Sequence, residues 1–505
     1  MSTLLFEGAD WDYEKIQHAY EAIEEIALNE LGLDVYPNQI ETITAEQMLD
    51  AYASNGLPLM YKHWSFGKHF AYHDLQYRKG AQGLAYEIVI NSSPCIVHIM
   101  EENTMTMQAL VMAHAGFGHN HFFKNNSLFR QWTDASSILS YLEYAKNYIA
   151  TCEERYGADS VERLLDAAHA LMPHGVDQYT RKAPLDLAKD AEREQERREY
   201  QRRTYNDLWR TVPQSKSTKS EQSVESRRKS MLRLPEENLL YFIEKRAPML
   251  KPWQREVLRI VRNIAQYFYP QQQTQVMNEG CATMVHYTIM NRLHERGMIS
   301  DGSLLEFIEG HTGVVYQPGF DSNHFSGINP YYLGFSMMQD IKRICEGPTD
   351  EDREWFPNFA GNGDPWKTLR EAWVEYRDES FILQFLSPYL IRKMRLFHLV
   401  DVPTDPAYVV GHIHDERGYR GIRSALAHQY NLGYRKPDIQ VVDVDLNGDR
   451  ELYLQHNVVN GRLLDSDDAK AVLQHIATLW GYGVTLFEMT GASTLLNKHS
   501  VTAPK

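Results

Sequence analysis

Apolar residues recur at helical spacing over most of this chain, and the period changes only near its C-terminal end. Ile16, Tyr20, Ile23 and Ala27 share one face of an amphipathic helix expected over 10–32. A second helix starts at Thr44, where Thr44 and Gln47 form a capping box and Gly56 occupies the expected C′ position. Residues 57–85 are richer in glycine, histidine and aromatics, and Tyr86–Asn91 reads as a short strand. Helices are expected at about 102–114, 128–156 and 159–172. The pattern then breaks. Lys189–Arg203 is charged almost throughout, and Gln214–Ser230 is polar, serine-rich and nearly free of apolar side chains. Such a stretch cannot bury enough surface to offset its ordering entropy, so a solvated helix and a flexible polar segment over about 210–232 are expected. Helical periodicity returns at 235–246, 252–268, 275–296, 331–346 and 366–396.

The last part of the chain alternates instead. Asp438–Leu446 and Arg450–His456 read as strands joined at Asn447-Gly448, a type I′ hairpin signal, followed by a helix at 466–480 and a strand at 483–488. The fold class is therefore mainly α: a large helical core over 1–436 with a small C-terminal α+β domain over 437–505. Asp443–Gly448 also matches the opening of a calcium loop, but Leu454 stands where the pattern needs a bidentate glutamate, and the hairpin reading prevails.

With 505 residues the chain can bury a large core. A formal net charge of −15 disfavours nonspecific binding to nucleic acid or to anionic membrane. No apolar run approaches bilayer-spanning length, so membrane insertion is not expected. Cys95, Cys152, Cys281 and Cys345 are widely separated, which fits a reducing compartment, and a cytoplasmic location is expected. The glycine-rich nucleotide loops, the GxSxG elbow and the HExxH and ExxH metal motifs are all missing, so any metal site must be atypical.

Two clusters carry the candidate chemistry. Met112–Asn126 places His114, His119 and His121 within eight residues, and Asn278–His286 places Glu279 and His286 seven residues apart, two helical turns on one face. Both are wrapped in Ala, Gly, Met, Phe and Val, where a polar group must find a partner. His114 and His119 are five apart, about 140° round a straight helix, so they need Gly116 and Gly118 to end or bend the helix between them. The expected site joins the helices 102–114 and 275–296. His119, His286 and one of His114 or Glu279 ligate a divalent transition metal (Zn, Mn or Fe), and the remaining carboxylate, Glu279 or Glu102, is the general base. Gly116, Gly118 and Ala282 leave room for a substrate, with Asn91 and Tyr331 as polar contacts at its rim. The competing reading keeps these groups structural: histidines bonded to backbone carbonyls, Glu279 placed for the helix dipole, and His63–Lys68 as aromatic packing rather than a substrate lip.

At these residues the chain resembles the SpoVR family, the stage V sporulation protein R family of bacteria. The resemblance is carried by Tyr36–Glu41, His63–Lys68, Leu84–Asn91, Met100–Thr104, Ala113–Asn126, Asn278–Thr283 and Ile328–Gly334, and it spans nearly the whole chain. The family pattern has tryptophan where this chain has Cys281. The resemblance implies a link to spore cortex formation in spore-formers. It also implies an association with a PrkA-type serine protein kinase and a von Willebrand factor A-like protein. It implies no settled reaction. Two functions are carried forward: a metal-dependent hydrolase acting on an amide of a cell-wall or peptide substrate, and a non-catalytic scaffold that works with the kinase.

Overall fold

The computed structural model describes residues 4–53, 60–65, 68, 87–180, 195–196, 199–200, 232–400, 406–407, 409–446, 448–459, 461–491 and 493–502. Gly56, most of His63–Lys68 beyond Ser65, Leu84–Tyr86, the polar segment over 210–231 and Asn447 lie outside the described residues. The protein is mainly α-helical. The chain forms two compact units, Met1–Glu162 with Tyr267–Lys436 and Arg163–Gln266 with Pro437–Lys505.

In the first unit, helix α1 (Tyr13–Glu25) starts at Asp12, whose side chain accepts from the Lys15 N–H, and runs on as a π-helix over Ile26–Glu30. Helix α2 (Ala45–Ala53) starts with the expected reciprocal cap: Gln47 Oε1 accepts from the Thr44 N–H at 2.9 Å, and Thr44 Oγ1 from the Gln47 N–H at 3.2 Å. Strands β1 (Asn38–Ile43), β2 (Glu87–Ile90) and β3 (Cys95–Met100) form a small sheet in the order β1-β3-β2, parallel between β1 and β3 and antiparallel between β2 and β3. Every residue of the central strand β3 is buried, His98 included, in keeping with its mostly apolar sequence. Side chains alternate between faces. Cys95, Val97 and Ile99 join the main core, while Met100 packs with Ile88, Met48 and Ala51 on the other side.

Thr104 caps α3 (Met105–Val111), and the chain stays helical through a π-helix over Met112–His119 and then α4 (Asn120–Asn125). Three longer helices enclose this segment: α5 (Gln275–Glu295), α6 (Asp301–Val314, capped by Ser300) and α7 (Pro330–Glu346, capped by Asn329). Helix α5 has no side-chain cap of its own. The buried Asp378 carboxylate supplies one from elsewhere in the chain, accepting from the Val276 and Met277 N–H groups at 2.9 Å each. The packing is close because small residues meet. A Cβ on Gly334 would lie 2.2 Å from the Val276 carbonyl oxygen and 2.8 Å from Gly280 Cα. A Cβ on Gly118 would lie 2.4 Å from Ala282 Cα.

Two expected helices prove to be broken. The stretch 128–156 is Ser127–Trp132 and Ile138–Tyr156, separated where Asp134 accepts from the Ser136 and Ser137 hydroxyls. The stretch 366–396 is Pro365–Glu375, Asp378–Phe385 and Pro388–Lys393, each start carrying its own capping geometry, with proline at the first turn of two of them. Among the described residues no helix is long and apolar enough to cross a membrane.

In the second unit, Asp438–Val444, Leu452–Asn457, Val484–Met489 and Leu495–Val501 form a four-stranded sheet in that order. The middle pair is parallel, and the helix Ser466–Trp480 makes the crossover between its strands. The first pair is antiparallel as expected, but it is not closed by a two-residue turn. Its last rungs are Val444 opposite Leu452 and the Asp445 N–H to Glu451 carbonyl bond at 3.0 Å, with Asp445 also accepting from the Gly448 N–H. Glu236 bridges Val441 at 3.0 and 2.8 Å, which ties residues from far upstream to this sheet.

The glycine contacts are the point at which this packing is easiest to break. Gly334→Ala is expected to cost about 1–3 kcal/mol in chemical denaturation, the usual penalty for overpacking. Asp378→Ala, which strips two buried N–H groups of their acceptor, is expected to cost about 1–3 kcal/mol for each. Wild-type stability in both variants would contradict the packing and capping described.

Candidate metal centre

The site begins with a backbone irregularity. Met112–His119 is π-helical, with the Asn120 N–H reaching back five residues to the Ala115 carbonyl. Bonding from i to i+5 stacks residues that are five apart, and His114 and His119 are such a pair. Their rings stand edge to face with centroids 4.7 Å apart. The spacing predicts an end or a bend at the glycines, but the chain stays helical through them. Gly116 and Gly118 are used for packing: Asn38 Nδ2 donates to the Gly116 carbonyl at 2.9 Å, and Ala282 fills the space beside Gly118. That contact leaves no room at Gly118 or Ala282 for a substrate.

Two carboxylates face the histidine pair from different elements. Glu87 opens strand β2, where register sets it opposite Ile99 on the core side of the sheet. Its Oε1 lies 3.2 Å from His114 Nε2 and 3.9 Å from His119 Nε2. Glu279, in the first turns of α5, places Oε2 3.5 Å from His119 Nε2 and 4.0 Å from His114 Nε2. Glu87, His114 and His119 each offer a donor atom, and these atoms lie within 4.8 Å of one another. Donors bound at about 2.0–2.2 Å to one tetrahedral ion stand roughly 3–3.5 Å apart, so only small side-chain adjustments separate this set from a coordination shell. Glu87 Oε2 and Glu279 Oε2 are buried without a hydrogen-bond partner. Two half-buried carboxylates, each with a buried oxygen beside two imidazoles, call for protons or a cation. Burial, and then the charge of Glu279, push the Glu87 carboxyl well above the usual carboxylate range.

A second layer holds the imidazoles from behind. Asn278 Oδ1 lies 2.9 Å from His119 Nδ1. His286 Nδ1 lies 2.7 Å from His114 Nδ1, and His286 Nε2 lies 3.0 Å from Nδ1 of His311 on α6. Burial, followed by the neighbouring imidazoles, holds His114 and His286 well below the usual histidine range, and burial holds His311 at about 4. The direction is the one that metal ligation and its supporting bonds require, since both use the neutral ring.

Of the residues expected from sequence, His114, His119 and Glu279 meet here. His286 stands one layer back, on His114 rather than in the compact donor set. Glu102 lies on the exposed turn after β3 and does not join the buried group; the additional carboxylate is Glu87. Asn91 is buried rather than at a rim: its Nδ2 donates to Thr133 Oγ1 at 3.0 Å, and its carbonyl accepts from the Tyr267 hydroxyl at 3.1 Å. Tyr331 opens α7, half-buried, its ring parallel to His114 with centroids 6.5 Å apart. His121 turns away to the Asp34 backbone, its Nδ1 accepting from the Asp34 N–H at 3.0 Å. His63 keeps a local contact with Ser65 at 2.7 Å. Sequence reasoning missed Glu87, Asn278 and His311. The signals for Glu87 are a charged residue at the head of an apolar strand and its place in Leu84–Asn91, one of the segments that carry the family resemblance.

The fold and site thus define a mainly helical protein with a buried His/Glu cluster. Residues 10–435 match the family described as SpoVR like protein, and residues 437–491 match the SpoVR-like C-terminal domain. The chain belongs to the SpoVR family. It is 53% identical over 485 residues to "Uncharacterized protein YcgB" of Escherichia coli (strain K12), covering 96% of this chain and 94% of that protein. No solved structure matches it.

The raised Glu87 carboxyl has a sign that can be tested. Because its folded value exceeds its unfolded one, its stabilising contribution is complete below the ordinary carboxylate range and declines as pH rises above it. In chelator-treated protein, stability should therefore fall as pH rises above the ordinary carboxylate range, by up to roughly 1.4 kcal/mol per pH unit. Glu87→Gln, which cannot ionise, should flatten that fall. Denaturation curves with the same pH dependence in both proteins would contradict the placement of Glu87.

Proposed function

We propose that the chain is a metal-dependent hydrolase in which Glu87, His114 and His119 hold a divalent transition metal and Glu279 is the general base. The supporting observation is the convergence of two imidazole Nε2 atoms and two carboxylates, 3.2–4.0 Å between each nitrogen and the carboxylate oxygens, with one oxygen of each carboxylate buried and making no hydrogen bond. Three protein donors with a position left open are what catalytic zinc sites use, and two histidines with one carboxylate equally suit iron. When bound, the metal supplies Lewis acidity for a polarised carbonyl. Glu279 then has the base's task, because its Oε2 is near the donors without belonging to the tightest set, and it can accept a proton from attacking water. An amide of a cell-wall or peptide substrate is the proposed target; it rests on the SpoVR family's link to the spore cortex. Work alongside a PrkA-type serine kinase and a von Willebrand factor A-like protein rests on the same resemblance, and a cytoplasmic setting rests on the widely separated cysteines.

Elemental analysis of protein purified without a histidine tag tests this reading. The expected result is about one Zn, Mn or Fe per chain, lost in His119→Ala and retained in Glu279→Gln. Loss of metal in Glu279→Gln would make Glu279 a ligand and remove the proposed base. Wild-type protein that stays metal-free after reconstitution overturns the hydrolase, and co-purification with a serine kinase would then support a scaffold.

A further inference from the structure

An imidazole ligates through a nitrogen that carries a lone pair, so its other nitrogen must hold the proton and needs an acceptor. We propose that Asn278, His286 and His311 are positioning residues that fix both ligand imidazoles as Nε2 donors; this rests on the metal site proposed above. For His119 the argument is direct. The Asn278 side-chain oxygen 2.9 Å from His119 Nδ1 only accepts, so Nδ1 carries the proton and the bare Nε2 faces Glu87 and Glu279.

His114 also bonds the Ala282 backbone, and its other close contact is with a second imidazole, so the direction of that bond must be worked out. The contact between the two Nδ1 atoms, 2.7 Å, needs a single proton between them, and the 3.0 Å contact from His286 Nε2 to His311 Nδ1 needs another. Neutral rings carry one N–H each, so the two bonds must point the same way along the chain. Pointing outward, His114 donates to His286 and His286 donates to His311, which leaves His114 Nε2 bare beside Glu87 Oε1 at 3.2 Å. Pointing inward, the proton of His114 would sit on Nε2, where the metal must bind. Ligation thus requires the outward direction, and His311 terminates the chain by accepting at Nδ1. His311 sits on α6 and is packed between Tyr287 and Phe335, which hold its ring at centroid distances of 5.0 and 4.9 Å. It acts on the metal only through His286.

The test is Zn(II) affinity by chelator competition, together with the visible spectrum of the Co(II)-loaded protein. His286→Leu, His311→Leu and Asn278→Leu are each expected to weaken Zn(II) about 10- to 100-fold. The Co(II) band positions should stay those of wild type, because no ligand is removed. His286→Gln should recover most of the affinity, since its side-chain carbonyl can accept from His114 Nδ1–H. It also serves as the control if the leucine variants fold poorly by thermal melting. Wild-type affinity in folded His311→Leu and Asn278→Leu would overturn the positioning role. A Co(II) spectrum altered in His286→Gln in the manner of His114→Ala would make His286 a ligand and likewise overturn it. Wild-type protein that binds neither ion would overturn the metal site itself, a failure separate from these two.

Discussion

The site depends on one departure from α-helical hydrogen bonding. His114 and His119 are separated by a spacing that an α-helix spreads over different faces and that i to i+5 bonding stacks. The π-helix over Met112–His119 meets that requirement without interrupting the helical run from Met105 to Asn125. It is held by close contacts on two sides. Asn38 bonds the Gly116 carbonyl, and Ala282 presses against Gly118 where no side chain fits. Of the glycines that spacing alone casts as a hinge, Gly118 thus lets α5 come close enough to bring Glu279, Asn278 and His286 to the histidines, while Gly116 packs on Asn38.

Around that register the polar groups are arranged in layers. The inner layer is acidic and imidazole-rich, with carboxylate oxygens that make no hydrogen bond; the outer layer consists of neutral acceptors and imidazoles bonded in sequence. Inside an apolar core such an arrangement is costly unless a cation or protons balance the inner charges. The surroundings are built for rigidity: α5 is capped by Asp378 and crossed by α7 at Gly280 and Gly334. A donor set on rigid, closely packed elements keeps its geometry better than one on loops.

Much of the fold was legible because helical periodicity survives burial. The helix at 275–296 is visible from its face pattern, and the Thr44–Gln47 cap from residue type alone. Helix breaks were less visible, since Asp134 and Pro388 interrupt patterns whose apolar spacing continues across them. Asp301–Val314 was missed because Gly302, Gly310 and Gly313 dilute its pattern, and His311 was missed with it. Within the site, the Glu279–His286 spacing was readable, yet the roles it suggested were not, because only tertiary packing sets His286 behind His114. Glu87 could not be assigned to a face before the register of β2 on β3 was known. Nor could the upstream pairing of Glu236 with Val441 be read from either segment alone.

X-ray absorption at the metal edge of the loaded wild-type protein tests the central claim most directly. Coordination by Glu87, His114 and His119 predicts a first shell of nitrogen and oxygen at about 2.0–2.2 Å, with the outer-shell scattering of two imidazoles. A shell containing sulfur at about 2.3 Å, or one without imidazole scattering, would contradict it.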